Sequence, residues 1–133
     1  MSECSPSTTP LLSGLLLSAK DCPNTPEEVY EMKDIPYREA LGSLMWLQVT
    51  TRLNLSFAIN LLTRFAHNPG KPHWIALKHV LAYVKGMIDY GITYQAGGNL
   101  NLIGYMDSDF TGCKDTRRST KGTIFIVAKG PVS

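Results

Sequence analysis

Apolar positions recur with two different periods, and the change of period divides the chain. Between residues 37 and 86 the spacing is helical. Leu41, Leu44, Met45 and Gln48 share one side of a helix predicted over 37–49. Thr50, Thr51 and Arg52 interrupt it with β-branched residues. Asn54 is placed to cap a second helix, in which Leu55, Ala58, Ile59, Leu62 and Phe65 follow the i, i+3, i+4, i+7, i+10 rule of a buried stripe. Asn68, Pro69 and Gly70 stop it. Lys71 and Pro72 open a third helix, because proline is tolerated in a first turn. Its predicted stripe is Trp74, Leu77, Leu81, Val84 and Ile88. From residue 90 the pattern becomes strand-like. Residues 92–95 and 100–105 flank Ala96, Gly97, Gly98 and Asn99, a hairpin signal. Residues 123–128, β-branched and aromatic between Gly122 and Gly130, read as a buried strand.

The first 36 residues lack such a pattern. They hold Pro6, Pro10, Pro23, Pro26 and Pro36, and only 27–33 suits a short helix, with Thr25 as its cap and Pro26 at its first position. The predicted organisation is an extended lead-in over 1–36, a helical segment over 37–89 and strands over 90–133. Helices first and strands later make the predicted class α+β.

Length and composition narrow the class further. A chain of 133 residues suits one ordinary domain, and 44% hydrophobic with 18% charged residues excludes wholesale disorder. The net charge of +2 hides an asymmetry. Residues 1–39 carry three basic and seven acidic side chains, whereas 40–133 carry ten basic and four acidic. The second part suits a polyanion; the first does not. The apolar run 11–19 is shorter than the roughly 20 residues of a membrane span. Its leader has Glu3 and no Lys or Arg, so it fails as a signal peptide. Cys4, Cys22 and Cys113 are odd in number and widely spaced, which argues against a disulfide framework. The expectation is an intracellular protein, cytoplasmic or nuclear, neither secreted nor membrane-bound.

Candidate chemistry lies in the basic part. No acidic residue occurs between Glu39 and Asp89, while Arg52, Arg64, Lys71, Lys78 and Lys85 do. Lys71, Lys78 and Lys85 are seven apart and form one row on a helix. A row without carboxylate partners suits a phosphate backbone; a solvated helix face is the plainer alternative. His67, His73 and His79 are spaced by six, which is wrong for zinc on a helix. Asp107 and Asp109 end a predicted strand on one face and could share a divalent cation, or simply cap a turn. Asp107, Asp109, Thr111 and Gly112 match the start of a calcium loop, but Arg118 stands where that loop needs its bidentate glutamate. Arg117 and Arg118 sit in a compact basic turn that suits phosphate or plain solvent. Trp46, Trp74, Phe57 and Phe65 are expected in the core.

Five runs, in order, resemble a known family. They are 37–47 (YREALGSLMWL), 56–65 (SFAINLLTRF), 73–86 (HWIALKHVLAYVKG), 104–112 (GYMDSDFTG) and 115–122 (DTRRSTKG). Together they resemble the Pol polyprotein of Copia-type LTR retrotransposons, where reverse transcriptase passes through its connection segment into RNase H. The resemblance covers about residues 37–133, and 9–18 is similar to the family's lead-in. It implies the opening strands of an RNase H-like domain, truncated here, and a parent activity of RNA-directed DNA synthesis and RNA–DNA hybrid cleavage. It makes Asp107 one of the acidic ligands for two Mg²⁺, with Asp109 a family feature beside it. It places Arg64, Lys71, Lys78, Lys85, Arg117 and Arg118 toward a hybrid or template–primer duplex. The polymerase Tyr-x-Asp-Asp motif is not in this sequence, and the other RNase H carboxylates are expected after residue 133. Thr51-Arg52-Leu53-Asn54 stands where the family has Thr-Arg-Pro-Asp. One ligand cannot hold two cations about 4 Å apart. The expectation is a Pol fragment, silent and without tight Mg²⁺ binding by itself, its partners nucleic acid and the remainder of Pol. The alternative is a non-catalytic nucleic-acid-binding or Pol-interacting module. Residues 123–128 are expected to form an unprotected sheet edge, which would leave the isolated chain marginal or aggregation-prone.

Overall fold

The structure, a computed structural model, describes residues 4–94, 96–97, 100–109 and 112–132. They contain four α-helices and a three-stranded antiparallel sheet, an α+β fold. The chain divides into two units, Met1–Asp89 and Tyr90–Ser133.

In the first unit, helix α1 (Pro26–Met32) starts where its caps require. Thr25 Oγ1 accepts from the Glu28 amide, and the Glu28 carboxylate accepts from the amides of Thr25 and Asn24. Those backbone bonds hold the Glu28 carboxyl below its ordinary range. Helix α2 (Tyr37–Thr50) buries Tyr37, Leu41 and Leu44, a seam at i, i+4, i+7. Met45, expected to face inward, lies one position off that seam and is exposed. Trp46 is 72% exposed and turns outward with Val49, contrary to its predicted place in the core. Tyr37 donates its hydroxyl to the Leu62 carbonyl at 3.0 Å. Burial, with the Cys22 thiol adding to it, pushes that phenol up to about 12.

A 3-10 turn at Leu53–Leu55 leads into α3 (Ser56–Thr63). Asn54 is not the cap predicted for it. Its Nδ2 instead donates to the Tyr83 hydroxyl at 2.9 Å, across to the next helix. Leu55, Ala58, Ile59, Leu62 and Phe65 are all buried, as their spacing predicts. Phe57 is 59% exposed, a second aromatic outside the core.

Helix α4 (Lys71–Gly86) opens at the predicted residue, ends before Ile88 of the predicted stripe, and has a rotated seam. His73, Ala76, Leu77 and Val80 are buried, while Trp74, Leu81 and Val84 are half-buried and Ile88 is exposed. The rotation follows from His73, whose ring enters the core. It stacks on Phe65 with centroids 4.1 Å apart, and its Nδ1 accepts from the Gly70 amide at 2.9 Å. The lead-in contributes Leu17 to the same core, with Leu11 and Leu15 half-buried against it. Just after Leu17, Ser18 and Asp21 cap a 3-10 turn at Ala19–Asp21 reciprocally.

The second unit is a sheet of order β1-β2-β3: β1 (Ile103–Ser108), β2 (Lys121–Val127) and β3 (Gly130–Pro131). Tyr105 faces Ile124 at the centre of the β1–β2 ladder, and Ile126 and Val127 pair with Pro131 and Gly130. Three expectations change here. Residues 92–94 form no strand, and 95, 98 and 99 of the predicted hairpin lie outside the described residues. Tyr94 instead donates its hydroxyl to the Pro131 carbonyl at 2.7 Å. β2 is the central strand, not an edge, because β1 and β3 flank it. Its side chains are exposed or half-buried, not buried as the β-branched run predicts. The Phe125 ring lies over Gly104, its cross-strand partner, and fills the space a glycine leaves. Ala128 and Lys129, at φ of 48° and 66°, supply the left-handed pair that a two-residue hairpin requires.

Two glycines make the packing testable. A Cβ on Gly70 would lie 2.0 Å from the Asp21 carbonyl oxygen, whereas one on Gly42, within α2, meets nothing within 4 Å. Gly70→Ala is expected to cost at least about 1–3 kcal/mol in urea denaturation. Gly42→Ala should gain up to about 1 kcal/mol from helix propensity.

Candidate nucleic-acid interface

The predicted site residues fall in both units. In the first, Arg64 follows the last residue of α3, and Lys71, Lys78 and Lys85 lie along α4. Lys71 and Lys78 are exposed and Lys85 is half-buried. The row is not free of carboxylates: Lys71 Nζ lies 3.7 Å from Glu31 of α1. Sequence spacing missed this because Glu31 belongs to another helix. Lys85 Nζ donates to the Cys4 carbonyl at 2.7 Å. Lys78 Nζ sits 5.9 Å from the Trp74 ring centroid, and the Arg64 guanidinium 5.5 Å from that of Phe65, both in cation–π range.

Two other cations of this unit serve the fold. Arg38 donates to the carbonyls of Ala66 and His67 just past α3, at 2.9 and 3.1 Å. Arg52 donates to the Met87 carbonyl at the end of α4, at 2.7 Å. Arginine at a helix C-terminus satisfies carbonyls that have no partner within the helix. These staples were invisible in sequence, since their acceptors are backbone atoms 28 to 35 residues away. An open groove of about 310 Å³ between α1 and the start of α2 is lined by residues that include Val29, Met32 and Ile35, and by none of the predicted site residues.

In the second unit, the β1–β2 pairing gathers Asp107, Asp109, Arg117 and Arg118 toward one end of the sheet. Asp107 pairs with Gly122, and its Oδ1 accepts from the Ser108 amide at 2.8 Å. Asp109 closes the neck of the loop. Its amide donates to the Thr120 carbonyl at 3.1 Å, and its carboxylate accepts from the Thr120 amide. A side chain at Gly112 would run into that carboxylate. Within the loop, the Arg117 amide donates to the Cys113 carbonyl at 2.8 Å and the Cys113 amide to the Arg118 carbonyl at 3.1 Å. Arg117 holds φ at 56°, and both arginine side chains are exposed. The Thr116 hydroxyl donates to Cys113 Sγ at 3.0 Å, a contact with no sequence signal.

The donor set decides what this end of the sheet can hold. Asp109 is engaged by the loop backbone and Asp107 by its neighbouring amide. Among the described residues no three His, Cys, Asp or Glu side chains group as metal ligands. A two-metal site needs more donors than these two carboxylates. Among the described residues, too, no helix is long and apolar enough to cross a membrane.

Comparisons with known proteins give the class. No protein-family profile matches the chain, and no solved structure matches it. Over all 133 of its residues it is 40% identical to the retrovirus-related Pol polyprotein from transposon TNT 1-94 of Nicotiana tabacum, covering 10% of that polyprotein. Over 97 residues, 73% of the chain, it is 42% identical to the retrovirus-related Pol polyprotein from transposon RE2 of Arabidopsis thaliana, covering 7% of it. Over 102 residues, 77% of the chain, it is 42% identical to secreted RxLR effector protein 161 of Plasmopara viticola, covering 72% of that protein. The chain is similar to a piece of retrotransposon Pol polyproteins. It spans a tenth or less of the Pol polyproteins just described.

The Lys71–Glu31 pair is exposed on both sides, so it contributes little to folding. Lys71→Ala should change the unfolding free energy by less than about 1 kcal/mol in urea titration. Charge changes at this position therefore report binding and not misfolding.

Proposed function

We propose that this chain is the reverse transcriptase–RNase H junction of a Copia-type Pol polyprotein, and that its helical unit contacts the phosphate backbone of an RNA–DNA hybrid or template–primer duplex. The observation that carries the reading is the exposure of Lys71 and Lys78 on a helical segment devoid of acidic residues from 40 to 88. Cations so placed neutralise phosphates and release counterions on binding. Arg64 and Lys85 would extend the contact, and Arg117 and Arg118 would add a second, in the sheet unit. In the same reading Asp107 is one carboxylate of a Mg²⁺-dependent RNase H site. The described residues supply too few donors to complete that site, so binding without cutting is the activity assigned to this chain.

The affinity for a labelled RNA–DNA hybrid, read by fluorescence anisotropy, should fall steeply between 50 and 200 mM salt as order-of-magnitude conditions. Lys78→Glu together with Lys71→Glu should weaken binding across all sequences and lower the salt slope by about 1 per lost phosphate contact. Affinity unchanged by both substitutions would remove the reading.

With Mg²⁺ present, the purified chain should leave the hybrid uncut. Cleavage that Asp107→Asn abolishes would overturn the assignment of binding alone and require further ligands.

A further inference from the structure

Residues 4–22 lie along α4 as a strap, and two histidines of α4 meet it. At one end the Ser7 amide donates to the Ala82 carbonyl at 3.2 Å, and Ser7 Oγ shares a 3.0 Å hydrogen bond with His79 Nε2. The Cys4 carbonyl accepts from Lys85. Gly86 allows the close approach, since a Cβ there would come 3.0 Å from the Ser7 carbonyl oxygen. At the other end the turn Ala19–Asp21 seats against Gly70, and Leu17 enters the core.

His73 is the fully buried group at that second end. Its Nδ1 accepts from the Gly70 amide, so the neutral ring carries its proton on Nε2, which meets no acceptor in good hydrogen-bond geometry among the described residues. A second proton, taken from solvent, must go to Nδ1, where it would face the Gly70 N–H. Donor would then meet donor, and the bond that fixes Gly70 under the Asp21 backbone would be lost.

The charged groups around the ring are few. Asp21, in the turn, favours the imidazolium, as does the Ser18 carbonyl; burial outweighs both and holds the ring below its ordinary range. Lys20 in the same turn is exposed, and Arg64 reaches the Phe65 ring that stacks on His73.

We infer that the strap is a detachable element, locked on α4 while His73 is neutral and released when His73 takes up a proton, withdrawing the Cys4 carbonyl from Lys85. The sign follows from linkage. Release makes the histidine more basic, so docking is intact above the ordinary value of 6.5 and weakens as pH falls through it. One such group gives at most about tenfold per pH unit. The inference does not depend on the nucleic-acid reading, because backbone exchange reports it directly.

The test is hydrogen–deuterium exchange of the full chain at about pH 7.5 and 5.5, corrected for intrinsic rates. The opening constant for residues 4–22 should rise about five- to tenfold at the lower pH, while α2 and α3 keep their protection. His73→Asn, whose Oδ1 stands in for Nδ1 without titrating, should show one opening constant at both pH values. His79→Asn should keep the response. No rise in the unaltered chain, an equal rise throughout the helical unit, or a rise that persists in His73→Asn would overturn the inference. Should His73→Asn fail to fold, Asp21→Asn decides. It removes the charge that favours the imidazolium, so the pH response should grow; an unchanged or smaller response would overturn the inference equally.

Discussion

The helical unit depends on how close two backbones come at Gly70. The Asp21 carbonyl occupies the space where any other residue would carry its Cβ. That approach sets the start of α4 against the lead-in and lets the Gly70 amide reach the His73 ring. His73 then stacks on Phe65 and turns the whole buried seam of α4 by about one position. Leu17 and the 3-10 turn behind it join the core for the same reason. A polar ring at the centre of an apolar seam is tolerated because one nitrogen is hydrogen-bonded and both ring faces can pack.

The two units differ in what stabilises them. Met1–Asp89 has a shared core drawn from three helices and the lead-in. The sheet unit has little buried apolar surface: Tyr105, Met106 and Ile103 are exposed on β1, and most of β2 is exposed too. Backbone pairing, the Phe125 ring over Gly104 and the Tyr94–Pro131 bond organise it instead. Short sheets of this kind gain independent stability only with a covered face. This uneven distribution of burial matters for function. The helical unit can present its cations on a rigid support, whereas the carboxylate end of the sheet rests on local loop bonds.

The basic excess also divides by role. Arg38 and Arg52 are committed to carbonyls at helix ends, and Lys85 to the lead-in. Lys71 and Lys78 remain exposed, one beside a carboxylate and the other over an indole. A count of charges therefore overstates the surface offered to a polyanion. Asp109 shows the same division on the acidic side, because the loop neck engages its carboxylate while that of Asp107 accepts from its neighbouring amide.

The order of elements was legible from the residues alone. Proline at the first turns of α1 and α4, the Thr25–Glu28 cap and the helical repeat of Leu55 to Phe65 are local signals, and local sterics and hydrogen bonding decide them. The resemblance to retrotransposon Pol polyproteins was legible too, because ordered motifs are a property of the sequence itself. What only the tertiary structure decided is which partner each side chain meets. His73 lies outside the stripe that spacing predicts for α4, yet Phe65 and Gly70 close on it; Trp46 and Phe57 read as core and are exposed. Asn54 reads as a cap until Tyr83 comes within reach, and 92–94 read as part of a hairpin strand until β1 pairs with β2 instead. Periodicity records only which face a residue occupies, not what is packed against it, and that is decided by how the segments fold onto one another.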